Sequence, residues 1–247
     1  MTTGVALLSL LLMHFVLEDH DILFVLAEGV HGMGIAALCY RLNKAGTCAG
    51  LSRTSQELTA VFLAVRLYCS AVMEGDIHTV LDLITLAATL YVIYVMRFKL
   101  ASSYSRELDS IPHLVVVVPC LVLAMIAHPH TVHWIANRVL WAFAVYLEAV
   151  SVAPQVRMMQ RAQVVEKFTA FYVFALGVSR FLSCAHWLLQ VLDPQSFLRT
   201  ALGTGLWPVA VLLSEIVQTF ILADFCYYYI KMAAAGESVM RLPIGVV

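Results

Sequence analysis

The chain has 247 residues, of which 62% are apolar and only 13% charged, against about 45–50% and about 25% in soluble domains. With a mean hydropathy of +0.87 it has too little polar surface for an ordinary soluble enzyme, so most of its exterior must face lipid. Fifteen basic and sixteen acidic residues give a net charge of −1, which excludes the broad basic field that nucleic-acid binding needs.

Val5–Leu17 opens the chain as an apolar run of thirteen residues, ended by Glu18-Asp19-His20-Asp21. It reads as an uncleaved extra helix or a signal-like leader. Met1-Thr2-Thr3-Gly4 lacks the basic start of a leader, which favours the extra helix. A hydrocarbon core of about 30 Å needs about 20 mostly apolar residues per helix. Cutting the chain where polar and turn residues cluster gives seven spans: 22–42, 56–73, 79–97, 112–128, 134–156, 168–191 and 208–230. The expected fold class is therefore an all-α polytopic membrane protein.

Basic residues accumulate on the cytoplasmic side of membrane proteins. Arg41, Lys44, Arg53, Arg97, Lys99, Arg106, Arg157, Arg161, Lys167, Lys231 and Arg241 fall at alternate loops and the C-terminal end. The opposite loops hold Glu74, Asp76, Asp193 and five histidines, with Arg199 as their one basic residue. The seven-helix body is thus expected to begin on the non-cytoplasmic side and end in the cytoplasm. This divides the chain into a short apolar helix and polar lumenal segment (1–21), a seven-helix membrane body (22–231) and a short cytoplasmic tail (232–247).

Three arginines, Arg66, Arg138 and Arg180, remain inside spans. An arginine in mid-membrane costs about 2.5–3.5 kcal/mol on insertion scales and usually faces the bundle interior or a wet cavity. Glu28, Glu148, Glu215 and Asp224 are the acids within spans, with Glu57 and Asp82 near span ends. Two readings stay open: buried arginine–carboxylate bridges that fix helix packing, or a cavity in which an arginine receives an anionic ligand. His31 and His186 also lie within spans, as packing residues or as pH sensors.

His128-Pro-His130-Thr-Val-His133 groups three imidazoles without an acidic second shell, and no dedicated metal site is expected. The six cysteines lack C-x-x-C spacing and read as packing residues. No Walker loop, nucleophile elbow or dinucleotide fingerprint occurs, so neither catalysis nor a cofactor is expected. Pro154-Gln155, deep in an apolar run, marks a kink or hinge. Finally, Thr59–Arg66 and Thr169–Arg180 each follow a basic loop, and the 114-residue offset between the arginines also superposes span 22–42 on 136–156. Two three-helix repeats joined by a linking helix would produce this spacing.

Several motifs in order then carry a resemblance. Thr47-Cys-Ala-Gly-Leu-Ser52 with Ser55-Gln56, Arg97-Phe-Lys99, Tyr146-Leu-Glu-Ala-Val-Ser-Val-Ala-Pro-Gln155, Tyr172-Val-Phe-Ala-Leu-Gly-Val-Ser-Arg180, Val217-Gln-Thr219 and Ala223-Asp-Phe225 resemble the ER lumen protein retaining receptors, the KDEL receptors, from about residue 22 to 231. The resemblance implies seven helices in two three-helix repeats, similar to PQ-loop and sugar-transporter proteins. It further implies an ER/Golgi multi-pass receptor that captures the acidic C-terminal tetrapeptide of lumenal proteins at low pH and retrieves them.

By this resemblance Arg66 matches a ligand-binding arginine and His31 the pH-sensing histidine. Arg180, Trp187, Glu148 and Asp224 match positions around the cavity or its polar support. The chain also departs from the pattern. Phe24 and Gln190 stand where the family has arginines, Ser179 and Ser183 where it has tyrosines, and Leu67 and Cys69 where it has a tyrosine and an acid. Arg138 stands near the place of a lumenal glutamate. The segment Lys231-Met-Ala-Ala-Ala-Gly-Glu237 lacks the spaced lysines through which vesicle-coat machinery would be engaged. The expected partner besides the bilayer is a C-terminal peptide of lumenal proteins or another anion, with altered or weakened specificity. A small-solute transporter hinged at Pro154-Gln155, or a ligand-free trafficking or structural Golgi membrane protein, are the alternatives.

Overall fold

The structure, a computed structural model, describes residues 21–73, 77–162, 164–192, 205–237 and 239–241. The apolar run over 5–17 lies outside the described residues. Each of the seven expected spans is helical: α1 (Asp21–Ala45), α2 (Arg53–Met73), α3 (Ile77–Tyr94), α4 (His113–Ile126), α5 (Ile135–Val150) continued by α6 (Ala153–Ala162), α7 (Lys167–Leu192) and α8 (Trp207–Ala234). Five of these segments, in α2, α3, α5–α6, α7 and α8, are long and apolar enough to cross a membrane, and α4 is a shorter apolar helix. Large apolar side chains such as Leu114, Phe181 and Phe220 point outward, as a lipid-facing surface requires.

Local chemistry sets the helix ends. Gly46, at φ +61°, closes α1 by donating its N–H to Leu42 O at 3.3 Å, the left-handed stop that glycine adopts without strain. Ser52 caps α2, its hydroxyl accepting the Ser55 N–H at 3.0 Å. Pro208 occupies the first turn of α8, where its missing N–H costs nothing.

Helix adjacency follows the repeat. Within one unit α3 packs on both α1 and α2; within the other α8 packs on both α5 and α7. Across units, α1 packs on α7 and α2 on α5. The first helix of each unit thus lies against the second helix of the other, and α4 leans on α5. Two apolar clusters result. One, around Tyr172, Leu38 and Met159, fills the end carrying the basic loops; the other, around Phe62, Leu147 and Trp207, fills the opposite half.

Three features differ from the sequence reading. The span expected over 134–156 turns at Ser151-Val152, because Pro154 has no N–H to return to Val150 O, and helix resumes as far as Ala162. The third span ends in a π-helical turn, Val95–Lys99. The segment expected as a tail from 232 continues α8 to Ala234, and its residues β2 (Val239–Arg241) pair antiparallel with β1 (Val164–Glu166). Met240 drives this return: opposite Val165 in the register, it is 1% exposed in the first apolar cluster.

The basic end is held by a polar network. Asp109 accepts hydrogen bonds from Ser52 Oγ (2.8 Å), Thr54 N (3.0 Å) and Tyr104 OH (2.6 Å). Burial and the Asp109 carboxylate push the Tyr104 phenol above its ordinary value. Gln155, fully buried, accepts from Ser52 N at 2.8 Å and donates to Gly50 O at 2.9 Å. Both halves of its amide are therefore committed, which pins the start of α6 to the α1–α2 loop.

Candidate functional site

In the other half of the bundle, one helix from each of six spans brings a charged or polar side chain to a cavity of about 130 Å³. α2 contributes Arg66 and Ser70, α7 contributes Arg180, Ser183 and Trp187, and α5 contributes Glu148 and Trp141. α1 supplies Glu28, α3 supplies Asp82 and α8 supplies Glu215. Apolar outer faces turn these helices inward at the polar positions, where burial without partners would be costly.

Arg66 is the hub. Its Nε lies 3.0 and 2.9 Å from the two Asp82 carboxylate oxygens, and its Nη2 donates to Asp82 Oδ1 as well. Its Nη1 lies 3.0 Å from both Glu148 oxygens, and Nη2 is 3.4 Å from Glu28 Oε1. All three guanidinium nitrogens therefore face protein carboxylates. Arg180 Nη1 also donates to Glu148 Oε1, so a single carboxylate bridges the arginines of the two repeats. The buried Phe62 ring lies beneath both guanidinium groups, at 5.6 and 5.9 Å from its centroid, in cation–π geometry.

The acids outnumber the arginines. Glu28, Asp82, Glu148 and Glu215 face Arg66 and Arg180. Glu215 is hydrogen-bonded by Gln218 and Ser183 rather than by an arginine. Glu28 Oε2 is buried without a hydrogen-bond partner among the described residues. Arg66 and Arg180 are ion-paired to these acids, yet both line the cavity. Features of both sequence readings, buried bridges and a cavity, therefore coexist.

The other expected site residues are distributed as follows. Trp187 lines the cavity. His31 is 1% exposed, stands within the field of Arg180, Arg66 and Glu148, and its Nδ1 has no hydrogen-bond partner among the described residues. Asp224 does not line the cavity; nine residues beyond Glu215 on α8, it lies about 13 Å further along the axis. Pro154 and Gln155 sit at the opposite end, at the α5–α6 turn. Arg138 turns to the α4–α5 loop, with Nη2 3.2 Å from His128 Nδ1. Trp141, not among the expected site residues, also stands on the cavity wall. Its spacing of seven from Glu148, two helical turns on one face, carried that signal.

The family model described as ER lumen protein retaining receptor matches residues 47–190, which hold both arginines, Glu148 and Asp82. The chain is 32% identical to ER lumen protein-retaining receptor erd-2.2 of Caenorhabditis elegans over 225 residues, covering 91% of this chain and all of that protein. This chain belongs to the ER lumen protein retaining receptor family. The Drosophila melanogaster receptor is 33% identical over 86% of this chain and 94% of its own length. Arabidopsis thaliana receptor A is 32% identical over 81% of this chain and 88% of its own. For a member of this receptor family, the cavity between the repeats is the natural place to look for ligand chemistry.

Proposed function

We propose that this multi-pass membrane protein is a receptor that retains proteins in the ER lumen by binding their C-terminal retention signals, acting from ER and Golgi membranes. The body starts in the lumen and ends in the cytoplasm, in keeping with the basic residues at the α1–α2, α3–α4 and α6–α7 connections. The single observation that carries this reading is the inter-repeat cavity lined by Arg66 and Arg180 in a chain of this receptor family. Arginine is suited to the task because its planar fork matches a carboxylate.

The geometry supports a displacement mechanism. Arg66 and Arg180 are engaged by Asp82, Glu148 and Glu28, so a peptide carboxylate binds by replacing an internal one. Protons added to the carboxylates that engage the arginines reduce the internal competition, and a protonated His31 adds positive charge; both favour the incoming anion. Binding is thereby coupled to acidification, with His31 as the switch beside both arginines. Trp187 and Trp141 supply the apolar wall against which a peptide tail packs. Gln155 and Pro154 fix the far end so that the repeats move as units about the cavity.

The test is localisation of the tagged protein with and without overexpressed cargo bearing a retention signal. Redistribution from Golgi towards the ER is expected for the wild type and is lost in Arg180→Gln. Unchanged localisation of wild type at every cargo level would overturn the reading.

A further inference from the structure

A second cavity, of about 380 Å³, opens at the basic end of the bundle, and no part of the receptor reading uses it. Arg41 from the last turns of α1, Thr169 from the first turn of α7, Thr47, Ser105 and the β1–β2 ribbon form its walls. Arg41 is only 2% exposed. Its Nη2 donates to Glu166 on β1 and to Ala49 O at 3.2 Å, while Nε and Nη1 have no acceptor among the described residues. Thr169 is 1% exposed, and its hydroxyl is likewise without a partner. Buried guanidinium nitrogens left without acceptors are costly, because water no longer solvates them.

A cationic guanidinium and a neutral hydroxyl, both without acceptors among the described residues, thus stand at one cavity. Glu166 is already committed to Arg41, and Lys167 and Arg241 flank the ribbon in sequence and register, so the local field favours an anion. The start of the 26-residue α7 adds the positive end of its dipole. A tetrahedral oxyanion offers several acceptors at once, which suits two guanidinium nitrogens and a hydroxyl approaching from different walls. We propose that this cavity is a separate site for a phosphate group, supplied as free inorganic phosphate or as the phosphomonoester of a lipid headgroup. Bound there, the phosphate braces α1, α7 and the β1–β2 ribbon together. This site is independent of the cargo cavity.

The experiment uses the full chain in two arms. Inorganic phosphate is titrated calorimetrically into protein in a neutral detergent. In parallel, protein in phosphatidylcholine nanodiscs with or without phosphatidylinositol phosphate is assayed for retained lipid by native mass spectrometry. Thr169→Val removes an unpartnered hydroxyl at constant shape, so the fold survives; phosphate-group affinity is expected to fall about tenfold. Arg41→Gln is expected to abolish it. Saturable binding in the first arm identifies free phosphate as ligand, and binding in the second arm alone identifies the lipid headgroup; either supports the site. No saturable binding in both arms, or binding that Thr169→Val leaves unchanged, overturns it.

Discussion

Asp82→Asn is predicted to tighten cargo binding. Asp82 holds the Nε edge of Arg66, with Nε 3.0 and 2.9 Å from its two oxygens and a further contact from Nη2. A ligand carboxylate seeking that edge must first displace it. Charge-assisted hydrogen bonds contribute about 1.5–3 kcal/mol, so removing the competing charge should improve affinity by about tenfold to about a hundredfold. The fold should tolerate the change, since Glu148 and Glu28 still neutralise Arg66. Calorimetric titration of a peptide ending in a retention tetrapeptide, at fixed acidic pH, measures the effect, with thermal melting as the control for folding. A folded Asp82→Asn protein that binds more weakly than wild type, or equally, would refute the displacement argument.

Three further outcomes follow from the packing and the network at the basic end. Gln155→Leu strands the Ser52 N–H and Gly50 carbonyl that the amide now satisfies; at about 1–3 kcal/mol per buried unsatisfied group, thermal melting should fall by several degrees. Gly177→Ala places a Cβ 2.3 Å from Cys226 Sγ, an overpacking that should cost about 1–3 kcal/mol, and Cys226→Ala should restore most of the lost melting temperature. The Tyr104 phenol is raised above its ordinary value near 10 by burial and Asp109. A raised folded-state value stabilises the protein below pH about 10, and that contribution is lost as pH rises through the higher folded value. Tyr104→Phe should therefore flatten the alkaline limb of a stability profile.

Much of the fold was legible because lipid imposes its own pattern. Continuous apolar length marked the seven spans, and the shared spacing of Arg66 and Arg180 marked the repeat. The helix break at Ser151-Val152 followed from Pro154, although hydropathy alone read straight through it. The β1–β2 ribbon was not legible: three-residue strands carry almost no periodicity, and Met240 reads as a lone apolar residue in a polar segment. At the site, the acids could be inventoried but not assigned. Glu28, Asp82 and Glu148 lie on three different spans, and which of them meets Arg66 depends on helix rotations that hydropathy does not encode. Arg138 looked equivalent to the other two arginines, yet its position at the start of α5 sends it to a loop.

The most direct measurement is the affinity of purified protein for a C-terminal retention peptide between about pH 5.5 and 7.5, a window spanning the histidine reference value. The account predicts binding that strengthens towards the acidic end and disappears in Arg180→Gln. Absence of binding at every pH, or equal binding by wild type and Arg180→Gln, would contradict the claim that these two arginines receive the cargo's carboxylates.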